Sequence, residues 1–248
     1  MSGYGECRGK ISREHFISQS ILEQIADGRS IMIGGMSWQK KMELGRFGIG
    51  SITRKNLCVK RNSSLSHLDT IAGCFFKRIH MIDKAPLSVP HRAQFGGHNL
   101  EKWCVKLLIG LAMDAKRNIP ETWKEFLTDV DRHDGWGLYF PYTSDEPLIF
   151  AKGLEIETFV DEKTGVILAA KIYMCGAKFW IVLGKPDSPL TFGHYRPRGM
   201  IIDTSYGDRR FDFLWLHKTK DYVELKSTGD KTDRNPDSWY DWKPAWKF

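Results

Sequence analysis

No run of about 18 consecutive apolar residues, the length a helix needs to cross a bilayer, occurs in the 248-residue chain. A membrane span is therefore not expected. The first residues, MSGYGECRGKISREH, lack the apolar segment of a secretory signal. Cysteine is sparse and odd in number, five in all: Cys7, Cys58, Cys74, Cys104 and Cys175. That argues against a disulfide scaffold and fits a reducing, cytoplasmic setting. No internal repeat and no long low-complexity tract is present. Acidic residues are in deficit, 30 against 37 Lys and Arg, so the formal net charge is +7. A polyanionic partner is compatible with that balance, and so is an ordinary basic surface; only a site can decide between them. What is present is apolar material: 42% of residues are hydrophobic, enough for one large domain or two small ones with a real core.

The pattern changes along the chain. Residues 1–14 read as extended, with turn signals at Gly3, Gly5 and Gly9. HFISQSILEQIA (15–26) carries apolar residues at helical spacing and ends at Asp27-Gly28. SIMIGGMSW (30–38) reads as a strand broken by two glycines, and FGIGSITRKNLC (47–58) as another extended stretch. SSLSHLDTIAGCFFKRI (63–79) repeats apolar residues every three or four positions, which predicts an amphipathic helix capped by the serines. Asn99 is the expected cap of a second helix over 100–116, and Pro120 the opening residue of a third. From about 148 to 217 the segments LIFAKGLEIETFV, GVILAAKIYM, KFWIVLG, GMIID and FDFLWLH are rich in β-branched and aromatic residues. With turn signals between them they predict an antiparallel meander. The final stretch, STGDKTDRNPDSWYDWKPAWKF, is polar with interspersed Trp and reads as a tail or surface wrap.

Two short stretches carry chemistry. CRGKISREHFIS (7–18) ends an extended run in Glu14-His15, and LCVKRNSSLSHLD (57–69) leads through Asn62 into a helix. A strand ending in a carboxylate and an imidazole, opposite a helix whose first turn carries an Asn, can hold one hard cation. Glu14 and Asn62 would supply oxygen ligands, with water and a substrate phosphate completing the shell that Mg²⁺ or Mn²⁺ prefers. His15 beside it titrates near neutrality and can take a proton from an attacking water. The bland reading is that a Glu-His pair is common and that a lone His is usually structural. His67 and Asp69, farther along the same helix, are either spare ligands or surface residues, and the surface reading is preferred. His98, His133 and Asp134 read as loop and turn residues.

These stretches resemble the HNH endonucleases of the ββα-metal type, whose pattern is C-x-x-C, then an Asp/Glu-His pair, then C-x-x-[CH]-[HN]. The matching residues are Cys7, Glu14-His15, Cys58 and Asn62, over roughly residues 5–75. The resemblance implies that His15 is the general base, that Glu14 ligates the metal, and that Asn62 supplies the ligand from the helix. The Asn that orients the base in that family has no match; Asn56 lies too near Cys58, and Ser51 or Thr53 could stand in its place. The family's structural zinc is not expected here, because Lys10 and Arg61 occupy two of the four ligand positions and Cys7 and Cys58 alone make no closed site. Packing of this degenerate zinc knuckle would then hold the hairpin.

Farther on, HYRPRG (194–199) and GDRRF (207–211) set Arg196, Arg198, Arg209 and Arg210 beside aromatic residues. Together with Arg61 they are candidate contacts to a nucleic-acid backbone, with solvated surface as the rival reading. The expected fold is α+β: an HNH-like ββα-metal module (1–80), a helical connection (81–135), an antiparallel β-rich region (136–226) and a polar tail (227–248). The expected function is Mg²⁺- or Mn²⁺-dependent hydrolysis of phosphodiester bonds, in DNA rather than RNA, possible in a phage or defence setting that suits the family. Two rivals stand beside it. A decayed module could only bind nucleic acid or a protein partner, or the β-rich half could carry an unrelated activity.

Overall fold

The computed structural model describes residues 14–15, 17–26, 28–40, 43–54, 59–84, 86–128, 136–141, 153–184, 193–204, 206–216 and 222–226. In chain order these form β1 (Glu14–His15), α1 (Gln19–Ile25), β2 (Ser30–Gly34), β3 (Leu44–Gly48), β4 (Thr53–Arg54), α2 (Val59–Lys84), β5 (Arg92–Gly96), α3 (Gly97–Asp114) and α4 (Glu121–Thr128). The strands β6 (Gly137–Phe140), β7 (Leu154–Val160), β8 (Ile167–Met174), β9 (Ala177–Val182), β10 (His194–Tyr195), β11 (Gly199–Asp203), β12 (Arg209–Leu214) and β13 (Tyr222–Lys226) follow. The class is α+β. None of the described helices is long and apolar enough to cross a membrane.

The strands form three sheets. One has seven strands in the order β10-β6-β9-β8-β7-β2-β3, one has four in the order β13-β11-β12-β5, and β1 and β4 make a two-stranded ribbon. The β-rich region is therefore not one antiparallel meander. The run β6-β9-β8-β7 is antiparallel, as the turn signals imply. β10 then returns to the same sheet beside β6, while β11, β12 and β13 leave for the second sheet, where β11–β13 and β12–β5 pair in parallel. The expected boundaries at 80 and 135 do not divide the hydrogen-bonding either. β2 pairs in parallel with β7 through Ile33↔Leu154 and Gly34↔Glu155, and β5 forms the edge beside β12. Gly35 explains why β2 stops there. Its φ is +81°, and a Cβ would sit 1.6 Å from the Ile156 carbonyl oxygen, so only glycine lets the two backbones come this close.

Two helix starts differ from expectation. α2 begins at Val59, ahead of the serines, and runs for 26 residues. The serines lie inside it, with Ser66 Oγ donating to the Ser63 carbonyl (2.8 Å), a local bond that satisfies a hydroxyl without ending the helix. α3 begins at Gly97 after an N-cap at Gly96, so Asn99 lies in its first turn rather than at its cap. The strand turns straight into the helix because Gly97 has no side chain: a Cβ there would press into the Trp215 ring at 2.6 Å. α4 follows Pro120 as expected, burying Trp123 and Phe126.

Consecutive residues of α2 join the sheets. Neighbours on a helix point about 100° apart. Phe75 meets Phe95, Phe211 and Phe213 of the four-stranded sheet, while Phe76 meets Trp103 of α3 and Phe179 of the seven-stranded sheet. α3 packs on β5 and β12 on one side and on β8 and β9 on the other. Phe140 and Phe213 stack across the two sheets at 5.5 Å. Most of the buried apolar side chains join in one core, with these helices wedged between the sheets, and Tyr139, Ala169, Trp180 and Val182 form a second, smaller cluster with Phe159 packed against it.

Candidate functional site

The ribbon joins two stretches that are far apart in the chain. β1 and β4 are antiparallel, with Glu14 opposite Arg54 and His15 opposite Thr53. Residues 55–58 then link β4 to α2. Five residue steps separate Arg54 from Val59, so the first turn of α2 starts within about 18 Å of the end of β4. Asn62 lies in that turn and is half-buried. Backbone order is therefore strand, strand, helix, with α1, β2 and β3 inserted between the two ribbon strands. The side chains of Glu14, His15 and Arg61, and all of Cys7, Lys10 and Cys58, lie outside the described residues, as do His133, Asp134 and the 227–248 tail.

Other candidates on α2 have structural work. Asp69 pairs with Lys106 at 2.5 Å, tying α2 to α3. His67 is exposed, with Nδ1 3.0 Å from the Ser64 carbonyl. Among the described residues, no three or more His, Cys, Asp and Glu gather as a metal-holding group.

The four arginines part company. Arg209 and Arg210 are consecutive on β12, and consecutive strand residues face opposite sides. Arg209 points inward, is 1% exposed, and its guanidinium donates to the Tyr206, Gly207 and Asp208 carbonyls. Arg196 is also buried, at a left-handed φ of +44°. Its Nε donates to Glu101 Oε1 at 2.8 Å. Neither is a loop arginine waiting for a phosphate, because both hydrogen-bond inside the protein. The adjacent positions in RRF already required one of that pair to face inward, once GDRRF is read as the start of a strand.

Glu101 of α3 is the residue the sequence reading missed. It is wholly buried, and its Oε1 also accepts the Leu138 N–H at 2.8 Å. His98, in the first turn of α3 rather than in a loop, has Nδ1 3.5 Å from Glu101 Oε2. The Leu216 N–H donates to His98 Nε2 at 2.9 Å. A ring nitrogen that accepts from a backbone amide carries no proton, so the proton of the neutral ring sits on Nδ1, facing Glu101. The group ties α3 to β6, to the turn after β10 and to the end of β12.

Arg198 and Arg210 remain on the outer face of the four-stranded sheet, with Arg92, Asp212 and Tyr222. Asp212 accepts from Arg92 Nε (2.5 Å), Arg210 Nε (2.9 Å) and the Tyr222 hydroxyl (2.7 Å). Burial alone would raise the Asp212 carboxyl, but the bonds from Tyr222, Arg92 and Arg210 together outweigh it and bring it down to about 2. The folded-state value is thus below the ordinary carboxylate value of about 3.9. Its stabilising contribution is complete above about pH 4 and is lost as pH falls through about 2. Asp212→Asn is expected to flatten the decline in melting temperature over that window. A variant whose acid decline matches the parent's would show that the carboxylate is not linked to folding.

No protein-family model matches the chain, and no curated protein and no solved structure matches it.

Proposed function

We propose that the chain is a divalent-cation-dependent endonuclease of the HNH, ββα-metal kind, with the ribbon and the start of α2 as its site. The observation that supports the reading is the backbone pairing of His15 with Thr53, followed by a short link to a helix with Asn62 in its first turn. His15 is the general base, taking a proton from the water that attacks the phosphodiester. Thr53 takes the orienting role for which no Asn is available.

The donor types suit a hard cation. A carboxylate from Glu14 and an amide oxygen from Asn62 are the oxygen ligands that Mg²⁺ or Mn²⁺ takes, and no thiolate is needed. When bound, the ion supplies positive charge to the scissile phosphate and to the leaving oxygen. A structural zinc has no part in this reading. DNA is the preferred substrate, and the net charge of +7 favours its approach.

A second reading is a module that still binds nucleic acid but no longer cuts it. Lys10 and Arg61, standing where zinc ligands stand in the family, favour it. One assay separates the two. Supercoiled plasmid is expected to be nicked by the full chain with Mg²⁺ or Mn²⁺, and left intact with EDTA. Binding without nicking in either metal would replace the first reading with the second.

A further inference from the structure

We propose that the outer face of the four-stranded sheet is a binding platform for single-stranded nucleic acid, built on Arg92, Arg198, Arg210 and Tyr222. It rests on the nucleic-acid partner of the reading above but lies on other elements and needs no cleavage step.

The strand alternation makes the face. On β5, Ala93 and Phe95 point into the core, so Arg92 and Gln94 point out. On β12, Phe211 and Phe213 point in, so Arg210, Asp212 and Leu214 point out. The register then sets Arg210 beside Arg92, two like charges on neighbouring strands. Like charges in that relation repel and destabilise a sheet unless something offsets them.

Asp212 offsets one charge. It binds both guanidiniums, and Tyr222 adds a third hydrogen bond. Gly199 makes this geometry possible. It is the register partner of Asp212 on one side and of Tyr222 on the other. A Cβ at Gly199 would stand 3.0 Å from the Tyr222 ring, in the space through which the phenol reaches Asp212. The ring thus lies across the central strand. The guanidinium carbons of Arg210 and Arg198 sit over it at 4.4 Å and 5.3 Å.

Within this cluster, three guanidiniums and one carboxylate leave two positive charges in excess; Asp203 on the same face stands at the other end of β11, paired in register with Lys226. Arg198 is exposed, and the Arg92 side chain is 59% exposed. An anion is the natural complement. The face carries guanidinium groups set over an aromatic ring. Bases of a single strand stack on such groups while its phosphates pair with the outer N–H groups, whereas the bases of a duplex are already stacked on each other.

The test measures binding by the full chain in EDTA, so cleavage plays no part. The probes are a fluorescein-labelled oligo-dT of about 20 nucleotides and a duplex of equal length, each over a range of salt. The expected result is tighter binding of the single strand. Arg92→Gln/Arg198→Gln is expected to weaken oligo-dT binding about tenfold or more. The slope of log K against log salt should fall by roughly 0.7 for each phosphate that is no longer neutralised. Tyr222→Phe reports the hydroxyl contribution separately. If the double variant does not fold, Arg198→Gln carries the test alone, since its guanidinium sits outside on the Tyr222 ring.

A folded variant that keeps both parent affinity and parent salt slope would overturn the proposal. So would tighter binding of the duplex, or displacement of oligo-dT by polyglutamate at equal charge, which would point to an acidic peptide. A protein that fails to nick plasmid yet shows this binding loses the nuclease reading and keeps the platform. A protein that nicks, with binding indifferent to the arginines, loses the platform alone.

Discussion

His15→Ala is expected to lower plasmid nicking by roughly 10²–10⁴-fold, the usual worth of a positioned acid–base group, with the melting temperature nearly unchanged. The reason lies in the ribbon. β1 and β4 are two residues each, and a ribbon so short contributes little to global stability. Asn62→Ala should also reduce nicking, partly through weaker cation binding, so excess Mn²⁺ should restore some of the loss. A structural His15 gives the opposite pattern, with lower melting temperature and unchanged nicking per folded molecule. Melting temperature and nicking rate read on one His15→Ala sample separate the two. Full nicking by well-folded variant protein would rule the mechanism out.

Glu101→Ala is expected to cost about 3–5 kcal/mol, because it leaves the buried Arg196 guanidinium and the Leu138 N–H without their acceptor. For a chain of this length that corresponds to a fall in melting temperature of roughly 10 °C. Removing both charges should hurt less than the two single changes added together. A buried pair must repay the desolvation of both partners, so its net worth is smaller than the penalty for stranding one of them. Glu101→Ala/Arg196→Met, compared with each single variant in thermal unfolding, measures that difference. A Glu101→Ala protein melting within a degree or two of the parent would show that Glu101 is not the tie that its hydrogen bonds imply.

Much of the fold was legible where periodicity and punctuation agreed. The apolar spacing from Leu65 to Ile79 located the body of α2, and Pro120 located the start of α4. The turn signals DEKTG and CG separated β7, β8 and β9 in the right order. Errors arose at helix starts. Ser63–Ser66 and Asn99 are good caps, yet both lie within helices because their neighbours could already take helical backbone. β5 was missed although RAQFG alternates outward and inward residues, since five residues ahead of a strong helix do not stand out as a strand.

The candidate site divides in the same way. Glu14, His15 and Asn62 are legible only as residue types in short motifs, and Lys10 and Arg61 as residues at positions where the family that the motifs resemble has zinc ligands. That the His15 backbone pairs with Thr53 is not legible in the sequence, because register depends on where the chain turns back.

What the sequence determined by itself was local: residue types, helical and strand periods, and an excess of basic charge, each readable within one turn or one strand. The tertiary structure alone decided which arginines are buried and which face water, since Arg196 found a buried carboxylate 95 residues away and Arg210 found Asp212 and Tyr222 on its own sheet face. It also decided that 30–34 and 154–160 share one sheet, and that Arg92 stands beside Arg210. Such pairings rest on contacts between distant segments. Their free energy comes from burying both partners together, and no window of one strand or one helix contains that quantity.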